Sequence, residues 1–438
     1  MPALPKPAAL VYALLLTEAL LFTYWRNILG DYASPLVLLG CSLAACLVAY
    51  GYLRHRSWPS QLRAGFSSTG VVALACAVGL AFTVPQWYKT LQETEVGIHT
   101  SDIIPALSIY TQRLLAGDKI YLPFDAEIGY PMFPTYLPAT WGPYLVPQAL
   151  GFDYRWMSGL LLLMGIGAYE IVLARRQLSK VSSFVLALLP FGLVYAVLRA
   201  DSGIVGSSIE MMIVGYYFVL VAGILGPGRW LRILGLVLCL LSRFSLVLWV
   251  PLYLGLLWFR ASKREAWLTV GGVAVGVLAL YVLPFLAQDW SLLARMQQTY
   301  THDYTMAALS EWHHLNSDGM PYHLYNGIGA AAFFYRFAPG DLLARISLLK
   351  QVQVILLLAA TAGMALLYAR QRGLRMNYRL FAVLTLKVYL AIFYAFVQVP
   401  YAYLMVVSIA LSAWVVLLVA GAGPVEPTPA SYSAARRA

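Results

Sequence analysis

The sequence predicts an all-α protein that crosses a membrane about twelve times as a helical bundle. Three observations lead there. Of the 438 residues, 61% are hydrophobic and only 11% are charged, where a soluble domain carries about 25% charged residues. The apolar residues fall in runs of roughly 18 to 22, the length a helix needs to cross the hydrocarbon core. Lys and Arg gather in the short loops between alternate runs, the bias that orients spans toward the cytoplasm. The formal charge of +11 therefore belongs to membrane orientation, and membrane lipids rather than nucleic acid are the expected surroundings.

Taken in order, residues 8–24 and 35–53 form two N-terminal spans, and Arg54, Arg56 and Arg63 mark the loop after them as cytoplasmic. Lys6 ahead of the first run resembles a signal peptide. The run is long, carries Glu18 and lacks a small-residue cleavage site, so it reads as a retained helix. The third span, residues 67–87, ends on Trp87 and Tyr88, an aromatic pair suited to an interface. A long polar loop, 88–155, follows outside the cytoplasm, and its second half, 136–150, reads as a re-entrant or interface-lying helix. Spans at 156–174, 181–198 and 209–225 come next. Two short apolar segments, 231–241 and 245–259, then meet at Ser242-Arg243-Phe244. They are either two half-length helices or one long helix with a buried arginine. The remaining spans are 266–286, 346–369, 380–397 and 401–420. A second outer loop, 287–326, and a short apolar piece, 327–337, separate the first two of these. The tail, 421–438, is rich in Gly, Pro, Ala and Ser and reads as a disordered basic cytoplasmic segment.

Both termini are thus expected in the cytoplasm, with two added helices in 1–66 and the main bundle in 67–420. Cys41, Cys46, Cys76 and Cys239 all lie in apolar runs with no CxxC spacing, so neither a disulfide nor a zinc site is expected. The chain has no P-loop, no GxGxxG and no internal repeat. The missing repeat weighs against a secondary transporter.

The stretch that stands out runs from His99 to Phe152. A long irregular insert in a bundle of spans is a place for function. It opens on Asp102 just beyond a span, continues as an amphipathic helix with Tyr110, Arg113 and Leu115, and stops at Gly117. An acidic turn carries Asp118, Asp125 and Glu127. Tyr130-Pro131 then leads into an apolar helix capped by Pro147. Asp102, Tyr110, Leu114-Leu115-Ala116-Gly117, Tyr121, Tyr130-Pro131 and Pro147 together resemble the first extracytoplasmic loop of C-type (GT-C) membrane glycosyltransferases. The likeness is greatest to the polyprenol-phosphate-mannose-dependent mannosyltransferases, glycosyltransferase family 87. The motif covers roughly an eighth of the chain. The chain departs from the family in having Ile103 where an aromatic is usual, in breaking the Tyr-Pro-Pro element, and in carrying two helices ahead of the pattern.

The resemblance implies a bacterial plasma-membrane enzyme with an extracytoplasmic active site. It would move a mannose-like hexose or a pentose from a polyprenyl-phosphate donor to a glycan or glycolipid acceptor. No nucleotide sugar, cofactor or divalent metal is expected. Asp102 would be the catalytic base, a role that suits a carboxylate at a membrane boundary. As an Asp ahead of Pro105 it also fits a helix N-cap. Arg243, isolated between short apolar segments, is the candidate for the donor phosphate, because its planar fork binds two oxygens. Arg199 is a second phosphate candidate. Asp201 and Glu210 would bind sugar hydroxyls or pair with Arg243, and Tyr110, Tyr121 and Tyr130 would line the substrate. His302, His313 and His314, with Asp303, Glu311 and Asp318, match no standard zinc spacing and are assigned to substrate contact. Glu18, Glu170 and Lys387 lie in or near spans, where ionisable groups are costly. An O-antigen-type glycan polymerase or ligase, and a lipid or solute transporter, are the rival functions.

Overall fold

The computed structural model describes residues 5–26, 28–58, 66–98, 100–124, 134–298, 327–371 and 376–424. Tyr130, His302, His313 and His314, most of the second outer loop and the tail beyond 424 lie outside the described residues.

The chain opens with α1 (Lys6–Thr23), α2 (Gly30–Leu53) and α3 (Phe66–Glu93). The polar segment holds α4 (Ile103–Ala116), α5 (Pro138–Trp141) and α6 (Leu145–Leu150). There follow α7 (Tyr154–Ala174), α8 (Lys180–Ala200), α9 (Gly203–Gly206) and α10 (Glu210–Leu225). Next come α11 (Arg229–Leu240), α12 (Val250–Leu256), α13 (Lys263–Val277) and α14 (Leu292–Gln298). The last four are α15 (Ala331–Phe337), α16 (Leu342–Ala369), α17 (Tyr378–Ala395) and α18 (Ala402–Gly421). Among the described residues, nine helices are long and apolar enough to cross a membrane: α1, α2, α3, α7, α8, α13 extended to Val282, α16, α17 and α18. The chain is therefore an all-α, multi-pass membrane protein. The third span is longer than its sequence suggests. α3 continues past Pro85 and past Trp87 to Glu93, with Trp87 buried against the helix at Gly159.

One end of the bundle is basic and tied by polar contacts. Arg229 and Arg232 each reach Glu265 at 2.8 Å. Arg176 lies 3.6 Å over the Trp58 ring, and Arg379 donates to the Leu225 carbonyl. Here β1 (Arg56–Ser57) pairs antiparallel with β2 (Gly423–Pro424). The Arg229 and Arg232 contacts settle the segment around Arg243. α11 rises from this end, the chain breaks at Leu241, and a 3-10 turn (Phe244–Leu246), α12 and a π turn (Leu257–Ala261) bring it back to α13. The two short segments form a hairpin with Arg243 in extended backbone at its tip. The extended backbone at Arg243 interrupts the helical hydrogen bonds, so the segment is not one long helix.

At the centre stands α10, with all 16 residues buried. Small residues let neighbours approach it, as they do at helix crossings in membranes. Gly165 of α7 meets Gly215, and Gly235 of α11 meets Leu220. A Cβ at Gly165 would stand 2.5 Å from the Gly215 carbonyl oxygen, which is backbone and cannot yield. Gly167, two residues on, has nothing within 4 Å. Gly165→Ala is expected to lower stability by about 1–3 kcal/mol, while Gly167→Ala stays close to wild type. Thermal unfolding of the two variants in detergent checks this, and equal midpoints would count against the close crossing. At about 1.5 Å per residue, α10 is roughly 24 Å long, shorter than a bilayer core of about 30 Å.

Candidate active site

The polar end of the bundle is assembled on α4. Ile103, Ile104, Ala106, Leu107, Tyr110 and Thr111 form its buried face, the i, i+3, i+4, i+7 spacing of a helix resting on a core. Leu114 and Leu115 point outward with Val146 and Leu150 of α6, an apolar rim suited to a helix lying at an interface. Gly117, at φ 79°, ends α4 in the left-handed conformation that only glycine adopts without strain. Asp102 occupies the N-cap position and its carbonyl accepts from Ala106 N at 2.8 Å. Its side chain makes no capping hydrogen bond. Ser101 Oγ instead takes the Ile103 amide, at 3.3 Å. The helix cap is thus not made by the carboxylate.

The chain returns to α4 at residues 134–141. The Tyr110 hydroxyl accepts from the Tyr136 amide at 2.9 Å, and the Tyr121 hydroxyl donates to the Tyr136 carbonyl at 3.1 Å. Tyr110 stacks on Trp141 at 5.7 Å and meets Phe124 edge-on at 5.2 Å. The Arg113 guanidinium donates to the carbonyls of Ile120, Leu122 and Pro123 and lies over Phe124. The resemblance places Tyr110 and Tyr121 on substrate. In the fold both are buried and their hydroxyls hold the backbone at residue 136. Burial, joined for Tyr110 by the neighbouring Tyr121, raises both phenols above their ordinary range.

The same segment is fastened to the hairpin tip. Ala139 N donates to Leu241 O at 2.9 Å, Thr140 Oγ1 to Ser242 O at 2.8 Å, and Tyr216 Oη of α10 to Ala139 O at 2.9 Å. Arg243 follows directly and forms an ion pair with Glu210 at the first turn of α10. Glu210 is fully buried, whereas about a fifth of the Arg243 side chain is exposed. Phe244 and Val247 beside it are exposed and apolar. Tyr394, at the end of α17, and Tyr403, at the start of α18, lie within electrostatic reach of the guanidinium. Buried polar atoms ordinarily find partners. Here Glu210 Oε2 and Tyr394 Oη have none among the described residues. An arginine with donors to spare at the rim of an apolar bundle can receive a polar anionic ligand. Tyr136 joins the two halves, since its phenol feels both Asp102 and Arg243. Burial first, then Asp102, with Arg243 opposing, hold that phenol well above its ordinary ionisation range.

A clamp fixes the helix ends that frame the site. Arg155, almost fully buried, pairs with Asp153 through Nη2–Oδ2 at 2.6 Å and donates to the carbonyls of Leu91, Thr94 and Gly206. It joins the end of α3, the start of α7 and the end of α9. Neither Arg155 nor Tyr136 stands out in the sequence, since neither belongs to a charged cluster or to the quoted motif.

Asp102, Arg243 and Glu210 are thus gathered at one end of the bundle. The other candidates are placed differently. Arg199 is exposed in the last turn of α8 and shares no hydrogen bond or ion pair with Arg243. Asp201 pairs with Arg26, beyond α1, at 2.8 Å. The expected patch of Arg199, Asp201 and Glu210 is therefore divided, because Glu210 is drawn inward by α10 while Asp201 stays at the rim. Of the ionisable groups within spans, Glu18 pairs with Lys387 at 2.6 Å, both fully buried. Glu170 is buried with neither carboxylate oxygen hydrogen-bonded among the described residues. No group of three or more His, Cys, Asp or Glu that could hold a metal occurs among the described residues.

No protein-family model matches the chain, and no curated protein and no solved structure matches it.

Proposed function

We propose that this protein is a membrane glycosyltransferase of the C type, using a polyprenyl-phosphate sugar as donor. The observation that carries the reading is the approach of three distant segments: Asp102 before α4, residues 136–140, and the hairpin tip with Arg243. A carboxylate on one side and a cation on the other are what displacement at an anomeric carbon requires. Asp102 takes the proton from an acceptor hydroxyl as its oxygen attacks the anomeric carbon. The bond from that carbon to the phosphate oxygen breaks on the opposite face. Polyprenyl phosphate leaves as an anion against Arg243, so no acid is needed, and configuration inverts.

In this reading the chain passes the membrane about twelve times, with α10 and the two arms of the hairpin added to the longer helices. The basic end faces the cytoplasm with both termini, and the site faces outward from a bacterial plasma membrane. The acceptor is a lipid-linked or cell-envelope glycan. Polar groups collected at one end, together with a Glu18–Lys387 pair closed on itself at mid-bundle, favour a transferase over a transporter.

Membranes containing the protein are expected to transfer radiolabelled sugar from one of polyprenyl-phosphate-mannose, -glucose or -arabinose. Polymerisation of a pyrophosphate-linked oligosaccharide without transfer from any of these would instead indicate a glycan polymerase. Movement of lipid or solute across sealed vesicles without transfer would indicate a transporter.

A further inference from the structure

We infer that Tyr136 is a further substrate-binding residue, its phenol donating a hydrogen bond to a phosphate oxygen of the lipid donor. The inference rests on the glycosyl-transfer reading and names a contact which that reading does not contain.

Tyr136 is held from both sides by its backbone, the amide on Tyr110 Oη and the carbonyl on Tyr121 Oη. Pro138 in the first turn of α5 stiffens the chain just beyond. Ala139 and Thr140 then bond the hairpin tip at Leu241 and Ser242, next to Arg243. A residue whose main chain is fixed at so many points has its ring placed by the fold, and the tyrosines that place it are themselves buried. The Tyr136 ring is only half-buried, although Tyr110 lies against it at 6.1 Å. The hydroxyl makes no hydrogen bond among the described residues, while Asp102, Arg243 and Glu210 all act on it electrostatically.

Two ligand groups enter such a site, the acceptor hydroxyl and the donor phosphate. The chemistry selects between them. A donor aimed at Asp102, or at the hydroxyl Asp102 must deprotonate, would weaken the base. A neutral donor next to Arg243 instead adds a second hydrogen bond to the anion the guanidinium attracts, with no further charge to desolvate. The phenol keeps its proton at any working pH, so it can only donate to a phosphate.

The test is equilibrium binding of polyprenyl phosphate without a sugar, and of the matching polyprenol, to detergent-solubilised full-length protein. Tyr136→Phe keeps the ring and the backbone clamps. It is expected to weaken polyprenyl phosphate binding about ten- to a hundredfold and to leave polyprenol binding unchanged. Equal phosphate affinity in variant and wild type would overturn the assignment and leave the transfer reading standing. Equal losses for phosphate and alcohol would reduce Tyr136 to a structural role and also overturn it. If wild type does not prefer the phosphate to the alcohol, the transfer reading falls and this assignment falls with it.

Discussion

Asp102→Asn is expected to cut sugar transfer by roughly 10²–10⁴-fold, the share a positioned general base contributes, while the protein folds as before. Loss of activity alone would not separate a base from a structural acid. The fold supplies the separation. The Asp102 side chain does not cap α4, and the helix start is served by Ser101 and by the Asp102 carbonyl. An amide of nearly the same size therefore removes basicity and leaves the helix its contacts. The unfolding midpoint should stay at the wild-type value, and polyprenyl phosphate should still bind, because Arg243 is untouched. Single-turnover transfer with the preferred donor measures the effect. A variant that turns over like wild type removes Asp102 from the mechanism. One that loses activity together with its unfolding midpoint returns it to a structural role.

The second large effect lies in the middle of the bundle. Lys387 Nζ reaches Glu18 Oε1 at 2.6 Å and the Ser408 carbonyl at 2.7 Å, and Ser412 Oγ donates to Glu18 Oε2 at 2.7 Å. The pair ties α1, one of the two added helices, to α17 and α18. A buried pair of this kind is costly to break from one side, about 3–5 kcal/mol, because the surviving charge has no solvent. Replacing both partners with apolar groups of similar size can be close to neutral. Lys387→Met and Glu18→Leu are each expected to lower the unfolding midpoint sharply, and the Glu18→Leu/Lys387→Met double variant to recover most of the loss. Thermal unfolding in one detergent, followed by the monodisperse fraction, reads all three. Additive losses in the double variant would mean that the two residues are not coupled. Tyr394 stands seven residues along α17 from Lys387, two helical turns. A shift of α17 in the single variants should therefore also reduce transfer.

Much of this architecture is legible in the sequence because the bilayer imposes it. Long apolar runs predict the nine long helices to within a few residues, and the basic loops predict which ends lie together. The cation at Arg243 between short apolar segments leaves two readings open until the extended backbone there is seen, whereas the helix stop at Gly117 shows as a glycine. The end of α3 is misread because Trp87 looks like an interfacial residue, whereas it is buried against the helix at Gly159. The candidate site is legible in its charges but not in its assembly. Asp102 and Arg243 each stand out alone. Tyr136 looks like one of 30 tyrosines until the clamps from Tyr110 and Tyr121 are seen.

Local hydropathy along the sequence is enough to establish a helical membrane protein, the approximate positions of its long helices, and the polar stretch that interrupts them. Those features follow from local hydropathy and from the cost of exposing backbone to lipid, which each segment carries on its own. Three-dimensional packing selects which of two nearby acids Arg243 holds, brings Glu18 to Lys387 across 369 residues, and sets two motif tyrosines to support the loop from within. Partner choice depends on helix rotation and depth. Close contacts such as Gly165 on Gly215 set these, and no segment records them alone.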